Sequence, residues 1–476
     1  MLLFTVEIEK FQFRALTPGP KSRSSMKILA IFCWLAYLSN AVLANAQAIS
    51  PQRIDDLPRH GMIGLVVVPA DPVEPVNPQT NPLIVKTVVS GGPGEAAQIQ
   101  PGDIVDGLDG QPVSSPEEFA RMIGRHLAGD SVTVELTRQG LKISAKAVLK
   151  PRPLESSADA DVLYRAVTAA GSRRRTIVTR PKPEGRYPAV LFIGGLGCYS
   201  LDGALNENAG YGPILSALKK NKFVTMRVEK TGEGDSEGPA CTDQKATVEL
   251  EAAGYVAALT ALRTYDFVDA GKIFVFAHSL GPLLASLALP NQNIRGVVAA
   301  ETIGRSWFEY GLENVRRQSF LVGEPLDQVD QEVRAHAICA YHFFLLHEPA
   351  EKVAKLGEQC KDMIQSYAGM SAPYMQQIGD ISLASQWKRI DAPVLVIYGT
   401  SDPATSADES QYLADIINSF HPGRATYAEI PGMGHDFCRY SSPADFLNRR
   451  KNAQPHPFDD DLLAIVLAWL EQHART

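Results

Sequence analysis

Ile273-Phe274-Val275-Phe276-Ala277-His278-Ser279-Leu280-Gly281 runs straight into Pro282-Leu283-Leu284-Ala285-Ser286-Leu287-Ala288-Leu289. The apolar run at the start reads as a buried strand, and the stretch after Gly281 reads as a helix. Ser279 then sits at the apex of a tight turn between them. A serine held there points out of a sheet, and its backbone lies at a helix N-terminus, where negative charge is stabilised. It becomes a nucleophile only with a base, an orienting acid and N–H donors for an oxyanion. Those partners are therefore sought in the rest of the chain.

From about residue 160 onward strands and helices alternate. Candidate strands are 176–179, 189–193, 223–228, 273–276, 296–300, 394–398 and 425–430; candidate helices are 211–220, 247–264, 280–289, 407–420 and 460–473. The interior strands are continuous apolar runs, as expected where helices cover both faces of a mostly parallel sheet. One strand leads into Ile193-Gly194-Gly195-Leu196-Gly197, whose glycines let backbone approach a substrate. The Leu196 and Leu280 N–H groups would form the oxyanion hole. The last two strands lead into Tyr398-Gly399-Thr400-Ser401-Asp402 and Ile430-Pro431-Gly432-Met433-Gly434-His435. A histidine on such a loop can act as the base, with Asp402 fixing its tautomer. Asp408 and Glu409 fit a helix start better, and Asp436 would face away from the serine.

The order Ser279, Asp402, His435 resembles that of the α/β-hydrolase family, and the likeness runs through residues 160–476. It includes Val228-Glu229-Lys230-Thr231-Gly232-Glu233-Gly234-Asp235-Ser236, where the family's usual D-x-x-G-x-G-x-S has Asp in the place of Glu229. Two further departures are Ala277, where glycine is commonest, and Gly194-Gly195, where His-Gly is frequent. The resemblance implies acyl transfer through Ser279, His435 and Asp402 without a metal or organic cofactor. It also implies that the aromatic-rich insert 303–388, with its helical stretch 328–346, is a lid. His336, His342 and His347 lie in that insert off a common helix face, so no metal site is expected.

Residues 57–150 form an earlier module. Its strands are expected at 65–68, 84–89, 132–136 and 141–148, and its helix begins at Ser115-Pro116 with Glu118 in capping-box position. The turn Gly61-Met62-Ile63-Gly64-Leu65 and the run Pro101-Gly102-Asp103-Ile104-Val105 carry a resemblance to PDZ domains of exported bacterial proteases. That resemblance implies a small, mainly β domain in which residues 61–65 hold a peptide's C-terminal carboxylate while the peptide adds a strand to the sheet edge. The competing reading is a module that packs on its neighbour and binds nothing. Pro69, Pro72, Pro75, Pro78 and Pro82 favour a polyproline II excursion between the first two strands. Residues 151–159 read as a linker.

Lys21, Arg23 and Lys27 precede the apolar run 28–38, and Ala44-Asn45-Ala46 follows, so residues 1–46 read as a signal peptide. Met26-Lys27 reads as a natural start, which would make residues 1–25 an upstream extension. A membrane anchor is the competing reading, although the run is short for about 30 Å of hydrocarbon. Export, to a periplasm or beyond, would place Cys198, Cys241, Cys339, Cys360 and Cys438 in an oxidising compartment. Cys198 with Cys241 is the best-motivated pair because both follow neighbouring strands; Cys339 with Cys360 is second, and five reduced cysteines remain open.

The chain has 476 residues, 45% hydrophobic and 21% charged, with net charge −7. This describes a globular protein of more than one domain and argues against a nucleic-acid surface. The combined expectation is an exported serine hydrolase cleaving a carboxylic ester, with the PDZ-like module tethering substrate or partner. Alternatives are a peptidase of the prolyl oligopeptidase or serine aminopeptidase type, and a non-catalytic peptide-binding adaptor. The natural substrate, the bond cleaved and the oligomeric state are not legible.

Overall fold

The computed structural model describes residues 57–69, 82–203, 210–367, 369–451 and 456–475. The expected signal peptide and the prolines at 72, 75 and 78 lie outside the described residues.

Eight strands build the main sheet. In chain order they are β1 (Ala160–Ala169), β2 (Ser172–Pro181), β3 (Tyr187–Ile193), β4 (Val224–Val228), β5 (Val268–His278), β6 (Gly296–Ala300), β7 (Val394–Gly399) and β8 (Ala425–Ile430). Their spatial order is β8-β7-β6-β5-β3-β4-β2-β1. The pairings from β8 to β4 are parallel, and β2 pairs antiparallel with both β4 and β1. The pleat explains why the central strands are apolar throughout. Leu191, Val275, Ala277, Val297 and Val396 face one core, with Tyr255, Leu259 and Leu284 from the helices over it. Val190, Phe192, Phe274, Phe276, Val298 and Ile397 face the other, with Leu215, Leu218, Val466 and Leu470. Both faces are buried under helices, so each side of each strand favours apolar residues.

The strand β1 was absent from the sequence reading. It alternates buried and half-exposed residues at the sheet edge, and the charged Asp161 and Arg165 interrupt its apolar pattern. Between β6 and β7 the chain forms a helical insert that includes Trp307–Leu321, Leu326–Ala340 and Glu358–Ser366. A disulfide joins Cys339 to Cys360 within it, and a second joins Cys198 to Cys241 (Cα–Cα 5.0 and 5.7 Å); among the described residues Cys438 is free.

The first module is a small antiparallel sheet, Leu65–Pro69, Leu83–Val88, Ile104–Leu108, Ser131–Arg138 and Leu141–Val148 in spatial order. Leu65–Pro69 is an edge strand. Ser115 caps the helix Pro116–Ile123, but Glu118 differs from the capping-box expectation, since its carboxylate accepts from Ser114 instead. The stretch read as a linker makes contacts at both ends. Lys150–Pro151 pairs with Gly61–Met62, and buried Glu155 forms a two-pronged ion pair with buried Arg227 of β4.

Candidate active site

β5 ends at His278, and the chain turns at Ser279 with φ +60°, a conformation that L residues adopt rarely. The surroundings hold the strain. The Ser279 N–H donates to the Ala300 carbonyl at the end of β6 (2.9 Å), and the Thr302 hydroxyl donates to the Ser279 carbonyl (2.8 Å). The helix Gly281–Ala288 then starts against β3 so closely that a Cβ on Gly281 would lie 2.5 Å from the Ile193 carbonyl oxygen. Glycine is needed there for the close approach.

Asp402 and His435 come from the loops after β7 and β8. These loops bind each other: the Ser401 N–H donates to the Met433 carbonyl (2.9 Å) and the Gly432 N–H to the Thr400 hydroxyl (2.9 Å). The structure brings all three side chains together. His435 Nε2 lies 3.1 Å from Ser279 Oγ, and Nδ1 lies 2.8 Å from Asp402 Oδ2. Asp402 and His435 are buried, while Ser279 is half-buried. Asp402 can only accept, so Nδ1 carries the proton and Nε2 is free to take one from Ser279. Burial alone would raise the Asp402 carboxyl. The His435 imidazole, with hydrogen bonds from His435 and Thr405, outweighs that and holds it well below the usual carboxylate range.

His278 lies behind this row. Its Nε2 is 3.0 Å from the His435 carbonyl and its Nδ1 is 2.8 Å from the Tyr211 hydroxyl. The carbonyl accepts only, so Nε2 carries the proton and Nδ1 accepts from Tyr211. Burial, and His435 beside it, hold this imidazole well below its ordinary value, so it is neutral.

The glycine loop after β3 lies against the serine: a Cβ on Gly195 would come within 2.9 Å of Ser279 Cβ. Leu280 follows Ser279 and Leu196 follows Gly195 in that loop, and among the described residues neither N–H is paired. Sequence reasoning missed what holds this loop. Buried Lys230 donates to the Gly195 carbonyl (2.7 Å), as does the Tyr199 hydroxyl (3.1 Å). Glu229, in the place of the family's aspartate, accepts from the Leu201 and Asp202 N–H groups and from Ser200. Its carboxyl is pushed up to about 7, by burial first and by Asp202 second. A lysine and a carboxylate straight after a strand are the signal that could have marked this pair as loop supports.

The other candidates are distributed as follows. In the PDZ-like turn, Gly61 N–H is taken by the His126 carbonyl (2.8 Å) and Met62 pairs with Lys150, which leaves Ile63-Gly64-Leu65, with Gly64 at φ +72°, as the reach of any carboxylate loop. In the insert, His342 pairs with Glu348 and His347 with Asp380, while half-buried His336 packs near Gly311 with its ring pushed down to about 4 by burial. Glu409 starts a helix and binds Arg305, and Asp436 accepts from the Tyr440 hydroxyl. A cleft of about 800 Å³ between the two domains is bordered by Arg121 and Arg125 on one side and by Tyr199, Glu233 and Met370 on the other. Glu233 is half-buried there, and burial pushes its carboxyl up to about 7.

A sheet of this order, with a serine turn, an acid loop and a histidine loop at the C-terminal ends of its parallel strands, defines an α/β-hydrolase. Residues 190–450, more than half of the chain, match the alpha/beta hydrolase family model, and the chain belongs to that family. Residues 61–149 match the PDZ domain model. The chain is 22% identical over 241 residues to Esterase EstD of Thermotoga maritima, covering 50% of this chain and 52% of the relative, so it spans about half the length of that curated protein. Among solved structures, Est1E of Butyrivibrio proteoclasticus with bound ferulic acid matches at TM-score 0.39 and 15% identity, over 60% of this chain and 95% of that one. A proline iminopeptidase of Mycobacterium smegmatis matches at 0.39 and 20%, over 65% and 98%. At such scores these likenesses carry no argument. No helix among the described residues is long and apolar enough to cross a membrane.

Proposed function

We propose that the protein is an exported serine hydrolase that cleaves a carboxylic ester through an acyl-enzyme. The observation that carries the reading is the continuous hydrogen-bonded row from Ser279 Oγ through His435 to buried Asp402. Ser279 attacks the carbonyl carbon while its proton passes to His435 Nε2. The oxyanion is met by the Leu196 and Leu280 N–H groups, whose unpaired state supports that role. The tetrahedral adduct collapses, His435 returns the proton to the leaving alkoxide, and an ester of Ser279 remains. Water then attacks, gives its proton to His435 and releases the carboxylic acid as Ser279 regains its proton.

The PDZ-like module favours a second reading, in which the bond cleaved is a peptide or amide bond. Among the described residues its edge strand Leu65–Pro69 pairs on one side only, and a peptide could pair on the other. The cleft between the domains supports a tethering role, because Tyr199 in its wall touches the glycine loop beside Ser279. Export is supported by the two disulfides, which persist in oxidising compartments.

A fluorophosphonate probe tests the proposal. Wild type should label and Ser279→Ala should not; equal labelling of both, or none of wild type, would overturn it and favour the adaptor. Turnover of short acyl esters against aminoacyl amides then separates esterase from peptidase.

A further inference from the structure

Glu301 follows β6 directly and is wholly buried, at 0% exposure. Its backbone is strained, with φ +51°, and its N–H is anchored to the Ile397 carbonyl of β7 (2.9 Å). That conformation turns the side chain toward the acid loop. An oxygen of its carboxyl, an oxygen of Asp402 and a ring nitrogen of His435 lie within 4.8 Å of one another. Neither carboxyl oxygen of Glu301 accepts a well-formed hydrogen bond among the described residues, although the Gly399 N–H and the Thr405 hydroxyl lie near enough to favour its charged form. A strained, buried carboxyl beside a triad acid is costly to keep, and strain of this kind collects at functional sites.

The charged and titratable neighbours decide where the proton resides. Asp402 and His435 face Glu301 from the loops after β7 and β8, and Tyr398 and Tyr427 approach from those strands. The cation acting on Asp402 from the insert, Arg317, is engaged by Glu313 and the Pro403 carbonyl. Two carboxylates this close cannot both ionise out of water. Asp402 receives His435 Nδ1–H, the Ala404 N–H (2.6 Å) and the Thr405 hydroxyl, so it is the one that keeps its charge. Burial, and then the Asp402 charge, push the Glu301 carboxyl well above the carboxylate range. A neutral carboxylic acid has one O–H to donate, and the Asp402 carboxylate is the strong acceptor within reach.

We propose that Glu301 is a protonated positioning acid that donates its carboxyl O–H to Asp402 and so holds that carboxylate in line with His435. No bond to substrate is made; the residue acts through Asp402. The kinetic consequence rests on the serine-hydrolase reading above, whereas the location of the proton does not.

The test uses the full chain. Difference infrared spectra of wild type against Glu301→Gln should show one protonated carboxyl C=O band lost in the variant at neutral pH, above the ordinary carboxylate range. In ester turnover, Glu301→Ala should lower kcat about tenfold with little change in KM, the pattern of a lost transition-state interaction. Glu301→Gln, whose amide N–H can replace the O–H, should recover most of that loss. Absence of the C=O band, or Ala and Gln variants that behave alike, overturns the proposal. If Glu301→Ala does not fold, the spectrum of the Gln variant still decides. A protein that keeps the band but fails to label at Ser279 would defeat the proposed function and leave the proton assignment standing.

Discussion

Ser279 combines a strained backbone with a hydroxyl in hydrogen-bond reach of His435, and two glycines make room for it in different ways. A Cβ on Gly281 would press on a backbone carbonyl of β3, which cannot move without disturbing the sheet. A Cβ on Gly195 would press on Ser279 Cβ, an atom that side-chain rotation does not move, so the serine turn itself would have to shift. Gly281→Ala should therefore destabilise the fold, by about 1–3 kcal/mol as overpacking usually does. Gly195→Ala should also lower the melting temperature, and because the displaced group is the serine turn itself it should in addition slow fluorophosphonate labelling by about tenfold or more. Thermal denaturation and labelling rates on both variants check the contrast. Ser279, Asp402 and His435 were legible because each follows an apolar strand, and strand ends of a parallel sheet converge on one edge. Glu301 follows a strand too, but its meaning depends on the β6 and β7 ends meeting, which no local pattern announces. His278 and Lys230 were hidden for the same reason.

At the scale of elements, the central strands were readable because burial on both faces leaves an uninterrupted apolar signature. The turn after β4 was readable only as a departure from a family pattern. Its Glu229 buttresses the loop 200–202 and carries a pH dependence with a definite sign. The folded value is raised to about 7, against about 4.3 in an unfolded chain. Between those values the folded protein binds a proton that the unfolded chain has lost. Stability from this group is thus complete below about pH 4 and declines as pH rises to about 7, by at most about 1.4 kcal/mol per pH unit. Glu229→Gln should flatten that decline. The difference in melting temperature, variant minus wild type, should be more positive at about pH 7.5 than at about pH 5; an unchanged difference would contradict the assignment. Substitution also removes one acceptor for the loop, and that cost is the same at both pH values.

At the scale of the whole molecule, the two domains are clasped by a polar network. Arg59 sits between Asp202 (2.7 Å) and Asp235 (2.6 Å) and stacks over Tyr164, while His60 N–H donates to Asp235 and Arg175 reaches the Leu57 carbonyl. Removing one partner of a buried ion pair leaves uncompensated charge, typically costing about 3–5 kcal/mol. Arg59 keeps some exposure, so a smaller loss is expected, and it should fall on docking rather than on either core. Arg59→Ala should split thermal unfolding into two transitions, the PDZ-like module melting first, while ester turnover at moderate temperature changes little. Calorimetry would show this, and a single undivided transition would contradict it. The sequence by itself determined the mostly parallel sheet, the order of its chemistry-bearing loops and the separate small β module, because burial and turn chemistry are written locally. Only the tertiary structure decided that Glu301 stands behind Asp402, that Lys230 grips the glycine loop and that the supposed linker is bound. Those contacts join residues distant in the chain, and their strength comes from shared burial, which exists only once the chain has closed.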